Sequence, residues 1–140
     1  MLVRECTEAD RESLSVIYLE SRINAFTWLD NSAFKAGDFD RDTADEKILV
    51  AEDEQGNLLG FVSIWMHDNF IHHLYVSPQT LRNGVGKALL TAATDLFVLP
   101  ARLKCMKANR NALDFYASQG WRIESEAVDD HGAYYNMINW

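Results

Sequence analysis

The step Gly84-Val85-Gly86 constrains this chain most, because it joins a β-rich run, Phe70–Val76, to an apolar helical face. Helical spacing lines up Val85, Ala88, Leu89, Ala92, Ala93, Leu96 and Phe97 over residues 85–97. A glycine turn at a helix start aims several backbone N–H groups outward, and the helix dipole adds roughly half a positive charge there. Such a turn either cradles phosphate or simply caps a helix. Two nucleotide loops fail on spelling. A Walker A loop fits Gly86-Lys87 but meets Leu81 and Ala88 where glycine and a hydroxyl belong. A dinucleotide fingerprint meets Leu89 where its third glycine belongs, and the surrounding βαβ repeat is missing.

The rest of the chain supplies the frame. Residues 2–6 read as a strand. Thr7 and Asp10 read as a helix cap, followed by a helix over 8–24 with Leu14, Ile17, Tyr18 and Ser21 at helical spacing. Residues 26–46 predict a short helix and an acidic loop. Runs 48–52 and 58–66 flank the turn residues 53–57 and form a hairpin, and His67-Asp68-Asn69 turns into the third run. Residues 102–107 alternate as a strand. Residues 112–118 form a short helix with Asn109 or Asn111 at its start and Gly120 past its end, and strands over 121–128 and 133–139 close the chain. Three strands in series between helices predict an α+β fold, an α/β sandwich with a mixed, largely antiparallel central sheet flanked by helices.

Composition sets the outer bounds. At 140 residues and 48 % apolar residues there is room for one domain, 1–140, with a real core. Two cysteines, Cys6 and Cys105, allow neither a disulfide framework nor a four-thiolate zinc site. A net charge of −8 argues against a nucleic-acid partner. No apolar run nears the roughly 20 residues that span a bilayer. No signal peptide is evident, so no membrane partner and a cytoplasmic location with reduced thiols are expected. The charge is uneven: residues 1–70 hold 15 acids and 6 bases, whereas residues 71–140 hold 6 acids and 7 bases.

The segment Leu74-x-Val76-x-Pro78 with Gly84-x-Gly86 resembles motif A of the GCN5-related N-acetyltransferase family, Leu-x-Val-x-Pro followed by Arg/Gln-x-x-Gly-x-Gly/Ala. A second block, Asn109-x-x-Ala112-x-x-Phe115-Tyr116-x-x-x-Gly120-Trp121, resembles its motif B, and the element order fits across essentially the whole chain. One position departs: Leu81 stands where the family has Arg or Gln, and Arg82 follows it. The resemblance implies an acyl-CoA N-acyltransferase-like fold, acetyl-CoA as donor, and acetyl transfer to the primary amine of a small molecule or peptide by direct attack in a ternary complex. It implies cofactor contacts at Leu74, Tyr75, Val76, Arg82, Asn83, Gly84, Val85, Gly86, Lys87, Asn109 and Tyr116. Leu74 and Val76 would serve the pantetheine arm and thioester oxygen through their backbone. The bases Arg82, Lys87, Arg102, Lys104, Lys107 and Arg110 lie in the half expected to hold the phosphates, with Lys104 and Arg110 the first to be discounted as mere surface charges.

Amine transfer needs proton traffic. Only about 0.04 % of a lysine-like amine is free base at pH 7, a cost of about 4.6 kcal/mol. By resemblance Tyr116 is the acid that protonates the leaving thiolate; packing beside Phe115 is its structural alternative. His72 is the expected base, because histidine titrates near neutrality and an unbroken strand puts it on the face of Leu74 and Val76. A bulge would favour His73; water, Asp68 and Glu52 stand behind both. Asn109 reads equally as a cofactor contact and a helix cap. The expected acceptor pocket sets Phe26, Trp28, Asp30 and Phe34 against Tyr134 and Tyr135, with two of the three non-tyrosine aromatics assigned to the core. The alternatives in function are a protein-amine acetyltransferase and a non-catalytic acyl-CoA sensor, which Leu81 would favour. The resemblance also allows a homodimer through an apolar edge at 134–140. The acid-rich half would then attract a cationic acceptor.

Overall fold

The computed structural model describes residues 1–80 and 84–139. Seven strands form one sheet in the order β1-β2-β3-β4-β5-β7-β6. They are β1 Leu2–Glu5, β2 Lys47–Glu52, β3 Leu58–Trp65, β4 Phe70–Val76, β5 Ala101–Met106, β6 Arg122–Asp129 and β7 Gly132–Asn139. Only β4 and β5 run parallel, and the crossover that a parallel pair requires contains helix α3, Val85–Thr94. The other pairings are antiparallel, which is the mixed sheet expected from three strands in series.

Two cores sandwich the sheet. Helices α1 (Arg11–Ala25) and α2 (Asp38–Asp42) cover one face, where Leu14, Ile17, Tyr18 and Phe39 meet Ile48, Val50 and Phe61. On the other face α3 and α4 (Arg110–Ser118) bring Val85, Leu89, Ala93 and Tyr116 against Val62, Ile71, Leu103 and Met137. Successive residues of β2 and β3 serve opposite cores, so both strands read as continuous apolar runs.

Local chemistry sets the joints. A short 3-10 turn, Glu8–Asp10, leads into α1, and Asp10 accepts hydrogen bonds from the Thr7 amide at 2.8 Å and from Arg4. Helix α3 ends at Thr94, three residues before the expected limit, and Leu96 is exposed. The chain leaves the helix ahead of Pro100, which disfavours helical geometry at the residue before it. The final hairpin folds back so that β7 lies between β5 and β6. The expected edge at 134–140 is therefore interior as far as it is described; the free edge on that side is β6.

Candidate active site

β4 carries one residue more than β3 can pair. Ser63 opposes His73 and Ile64 opposes Ile71, which leaves His72 as the bulged residue. An unbroken strand would have set His72 beside Leu74 and Val76, and only one histidine on the acceptor side. The bulge instead brings both imidazoles together, with centroids 3.9 Å apart and planes inclined by 32°. His73 lies edge-on to Tyr18 on the α1 face at 5.4 Å, while Leu74 and Val76 pack toward α3.

Glu46, just before β2, holds His72. Its side chain is 2 % exposed, and one carboxylate oxygen lies 2.7 Å from His72 Nδ1. Its other oxygen accepts from Ser63 Oγ. Burial opposes ionisation of Glu46, yet the hydrogen bonds from His72 and Ser63 outweigh it and keep the carboxyl below its ordinary range. An ionised carboxylate only accepts, so His72 Nδ1–H is the donor, and in the neutral ring the lone pair lies on Nε2. His73 Nε2 donates to the Asp42 carbonyl at 3.2 Å. Burial, with His72 alongside, lowers the His73 pKa to about 4 and keeps that ring neutral.

The His72 ring is partly exposed, at the wall of an open dish of about 260 Å³ lined by Trp65, Asp68, Phe70 and His72. Trp65 and Phe70 lie 6.1 and 6.3 Å from the imidazole. Asp68 thus stays within the site. Glu52 does not: it pairs with Arg4 at 3.2 Å at the other end of β2.

Behind β4 the sheet parts. Strands β4 and β5 pair only at Phe70 with Arg102 and Ile71 with Leu103, although β4 continues to Val76 and β5 to Met106. Alternate backbone groups of residues 72–76 that turn away from β3 therefore have no ladder partner in β5. Gly84 starts α3 at φ +80°, with open space where a side chain would stand. Gly86 is different: a methyl there would lie in ordinary van der Waals contact with Phe115 and Val76, so what this residue can offer a phosphate is its backbone N–H. Val85 is buried, and Lys87 is exposed on the first turn. The Asn109 carbonyl oxygen accepts from Ala112 N at 3.3 Å and caps α4, which leaves its amide N–H groups for a ligand. Tyr116 packs against Trp121 and Phe115 at 6.1 and 5.4 Å. Burial, then the proximity of Cys105 and Tyr75, raises its pKa and keeps the phenol protonated. The Tyr75 ring itself turns to the α1 face, 5.4 Å from Tyr18, so only its backbone can serve the gap.

Several expected contacts lie elsewhere. Arg102, Lys104 and Lys107 pair with Glu124, Asp129 and Glu126 on the final hairpin. Lys87 and Arg110 form no ion pair among the described residues. The expectations for Arg82 and Asn83, and the departure at Leu81, lie outside the described residues. Phe26, Trp28 and Phe34 assemble on the surface after α1, where Arg22 lies 4.7 Å over Phe34, so they are not core. Asp30 accepts from Ser32 N at 3.0 Å and caps a short turn. Tyr134 lies under Lys104, with 4.2 Å between Nζ and the ring centre. The acidic stretch is not a solvated loop: Asp38 holds buried Arg22, Asp42 accepts from Tyr18 at 2.7 Å, and Glu46 holds His72. Sequence reasoning missed Glu46, Trp65 and Phe70. The one available signal was Ser63, a hydroxyl in an apolar strand, which needed a buried partner.

A mixed seven-stranded sheet that parts between β4 and β5 beside a glycine-started helix is the fold of the acyl-CoA N-acyltransferases. The sequence matches the acetyltransferase (GNAT) family over residues 6–121, and the chain belongs to that family. It is 30 % identical over 137 residues to the peptidyl-lysine N-acetyltransferase YiaC of Escherichia coli K12, covering 92 % of this chain and 88 % of the relative. The fold superposes on apo YjaB from Escherichia coli with a TM-score of 0.83 at 19 % identity, covering 98 % and 95 % of the two chains. It also superposes on the PaiA N-acetyltransferase of Thermoplasma acidophilum in complex with coenzyme A, with a TM-score of 0.80 at 19 % identity, covering 99 % and 97 %. The chain is accordingly an acetyl-CoA-dependent N-acetyltransferase, and the sensor alternative is not favoured. No described helix is long and apolar enough to cross a membrane.

Proposed function

We propose that this enzyme acetylates the side-chain amine of lysine in a peptide or protein, with His72 as base and Tyr116 as acid. The observation that carries this reading is the buried Glu46 carboxylate on Nδ1 of His72, whose ring lines an open dish. The flanking rings of Trp65 and Phe70 suit a lysine's methylene stem, and an open dish suits a side chain presented on a larger surface. The relative that acts on peptidyl-lysine supports the same acceptor.

The residues of the gap fit the donor. The unpaired backbone of Leu74, Tyr75 and Val76 would hold the pantetheine arm. The start of α3 at Gly84, Val85 and Gly86, with Lys87, would hold the phosphates, and Asn109 Nδ2 would hold a pantetheine amide. When bound, acetyl-CoA supplies an activated acetyl group. His72 Nε2 takes the proton from the acceptor amine, and Glu46 stabilises the resulting imidazolium. Tyr116 Oη holds the proton for the departing sulfur. Transfer is direct: burial pushes the Cys105 thiol up to about 12 and raises that of Cys6, so neither is a ready acyl carrier. Phe26, Trp28, Asp30 and Tyr134 remain outer contacts for the acceptor chain. We assign the whole chain to one N-acetyltransferase domain working in the cytoplasm, with β6 as the strand through which two copies would pair.

The test is acetyl transfer from acetyl-CoA to three acceptors: a lysine peptide, the same peptide with only its α-amine free, and a small diamine. Product mass on the lysine Nζ at the highest kcat/KM is expected. Preference for the α-amine or the diamine overturns the acceptor assignment.

A further inference from the structure

We propose that Glu46, His72 and His73 form a binding site for one divalent transition-metal ion of the zinc class. One donor atom from each lies within 4.8 Å of the other two. Two imidazoles and a carboxylate are the nitrogen and oxygen set that zinc accepts, whereas magnesium and calcium call for oxygen ligands. Zinc bonds of about 2.0–2.1 Å in a tetrahedron set ligand atoms roughly 3.4 Å apart. Rotations that shift atoms by about an ångström therefore gather this set.

The bulge makes the site. It brings two adjacent imidazoles onto one face, where alternation would have separated them. Ser63 steadies the Glu46 carboxylate from behind, as a partner outside the metal's own ligands commonly does. The partly exposed ring of His72 opens the cluster to solvent through the Trp65–Phe70 dish. Coordination at His72 Nδ1 replaces the proton now shared with Glu46, and one proton leaves to water or moves to Nε2. Either nitrogen of His72 gives the same consequence. Bound at Nε2, the metal occupies the lone pair; bound at Nδ1, it leaves the ring's remaining proton on Nε2. The metal and the acceptor amine thus exclude one another, and zinc inhibits the enzyme. The binding site rests on geometry alone, whereas the inhibition rests on the reading of His72 as base.

Calorimetric titration of the full chain with zinc chloride, without acetyl-CoA or added thiol, tests the site. One equivalent is expected to bind, with affinity lowered at least about tenfold in His72→Ala and in Glu46→Gln. Undiminished affinity in both variants overturns the proposal, as does loss of binding in Cys6→Ser. Imidazole proton resonances of the unaltered protein give a measurement that no folding defect can confound. Zinc should move those of His72 and His73; shifts confined to His67 and His131 overturn the site. Initial rates read by product mass should fall with zinc and recover with EDTA. Stoichiometric zinc at His72 and His73 with undiminished turnover upholds the site and overturns His72 as the base.

Discussion

Single residues decide the chemistry. Tyr116 lies buried on α4, with a phenol that burial keeps protonated. Tyr116→Phe is expected to lower kcat about a hundredfold with little change in the KM for acetyl-CoA, since general acids contribute roughly 10²–10⁴. Steady-state kinetics at saturating acceptor checks this, and unchanged turnover removes Tyr116 as the acid. Arg22 is a different case. It is buried, pairs with Asp38 at 3.2 Å and stacks 3.8 Å over Tyr18. Asp38→Ala leaves that charge unpartnered and should cost about 3–5 kcal/mol in urea unfolding. The positions of Tyr116 on a short helix and of Gly84 at a helix start were legible because short motifs spell them out. Glu46 was not, because its role depends on Ser63 and His72 arriving from two other strands.

Elements carry the geometry. Period-two and helical patterns sufficed to place the strands, and β2 and β3 read as apolar runs because each meets one core on each face. Register was not legible. Nothing in Phe70–Val76 alone announces a bulge at His72, since a bulge is a mismatch between two strands. The insertion of β7 between β5 and β6 was hidden for the same reason: a hairpin does not encode which of its strands joins the sheet. Gly60 reports how tightly β3 and β4 approach. A methyl there would meet Tyr75 O at 2.6 Å and Val76 Cα at 3.1 Å, both backbone atoms. Gly60→Ala should therefore push β4 outward and destabilise the fold by about 1–3 kcal/mol in thermal or urea unfolding. Equal stability would mean that the strand yields freely.

At the scale of the molecule, charge is sorted along the chain and stays sorted after folding. Among the described residues, the ion pairs Arg4–Asp10, Arg11–Asp40 and Arg22–Asp38 close within residues 1–70, those of Arg102, Lys104 and Lys107 close within 71–140, and His72 with Glu46 crosses. The first half keeps its acid excess, so the KM of a cationic peptide should rise with salt; a flat response reduces the excess to solvated surface. The acids also set the pH limits of stability. The hydrogen bond from Arg4 holds the Asp10 carboxyl below its usual range, and the Lys35 amide with Arg22 does so for Asp38. The folded state then binds fewer protons than the unfolded chain, so the contribution of these acids is full above about pH 4 and falls as pH drops through the lowered folded values, while His73, kept neutral by burial, adds a loss that begins below about pH 6.5 and ends near 4. Unfolding followed from pH 7 to pH 3 should show stability falling as the unfolded chain protonates His73 and then further below about pH 4, with a shallower low-pH decline in Asp38→Asn. The central claim, that His72 held by Glu46 is the base, is tested most directly by the pH profile of kcat/KM for a lysine peptide. In His72→Ala the acidic limb should vanish and the rate fall by about 10²–10⁴; a limb that persists unchanged in that variant contradicts the account.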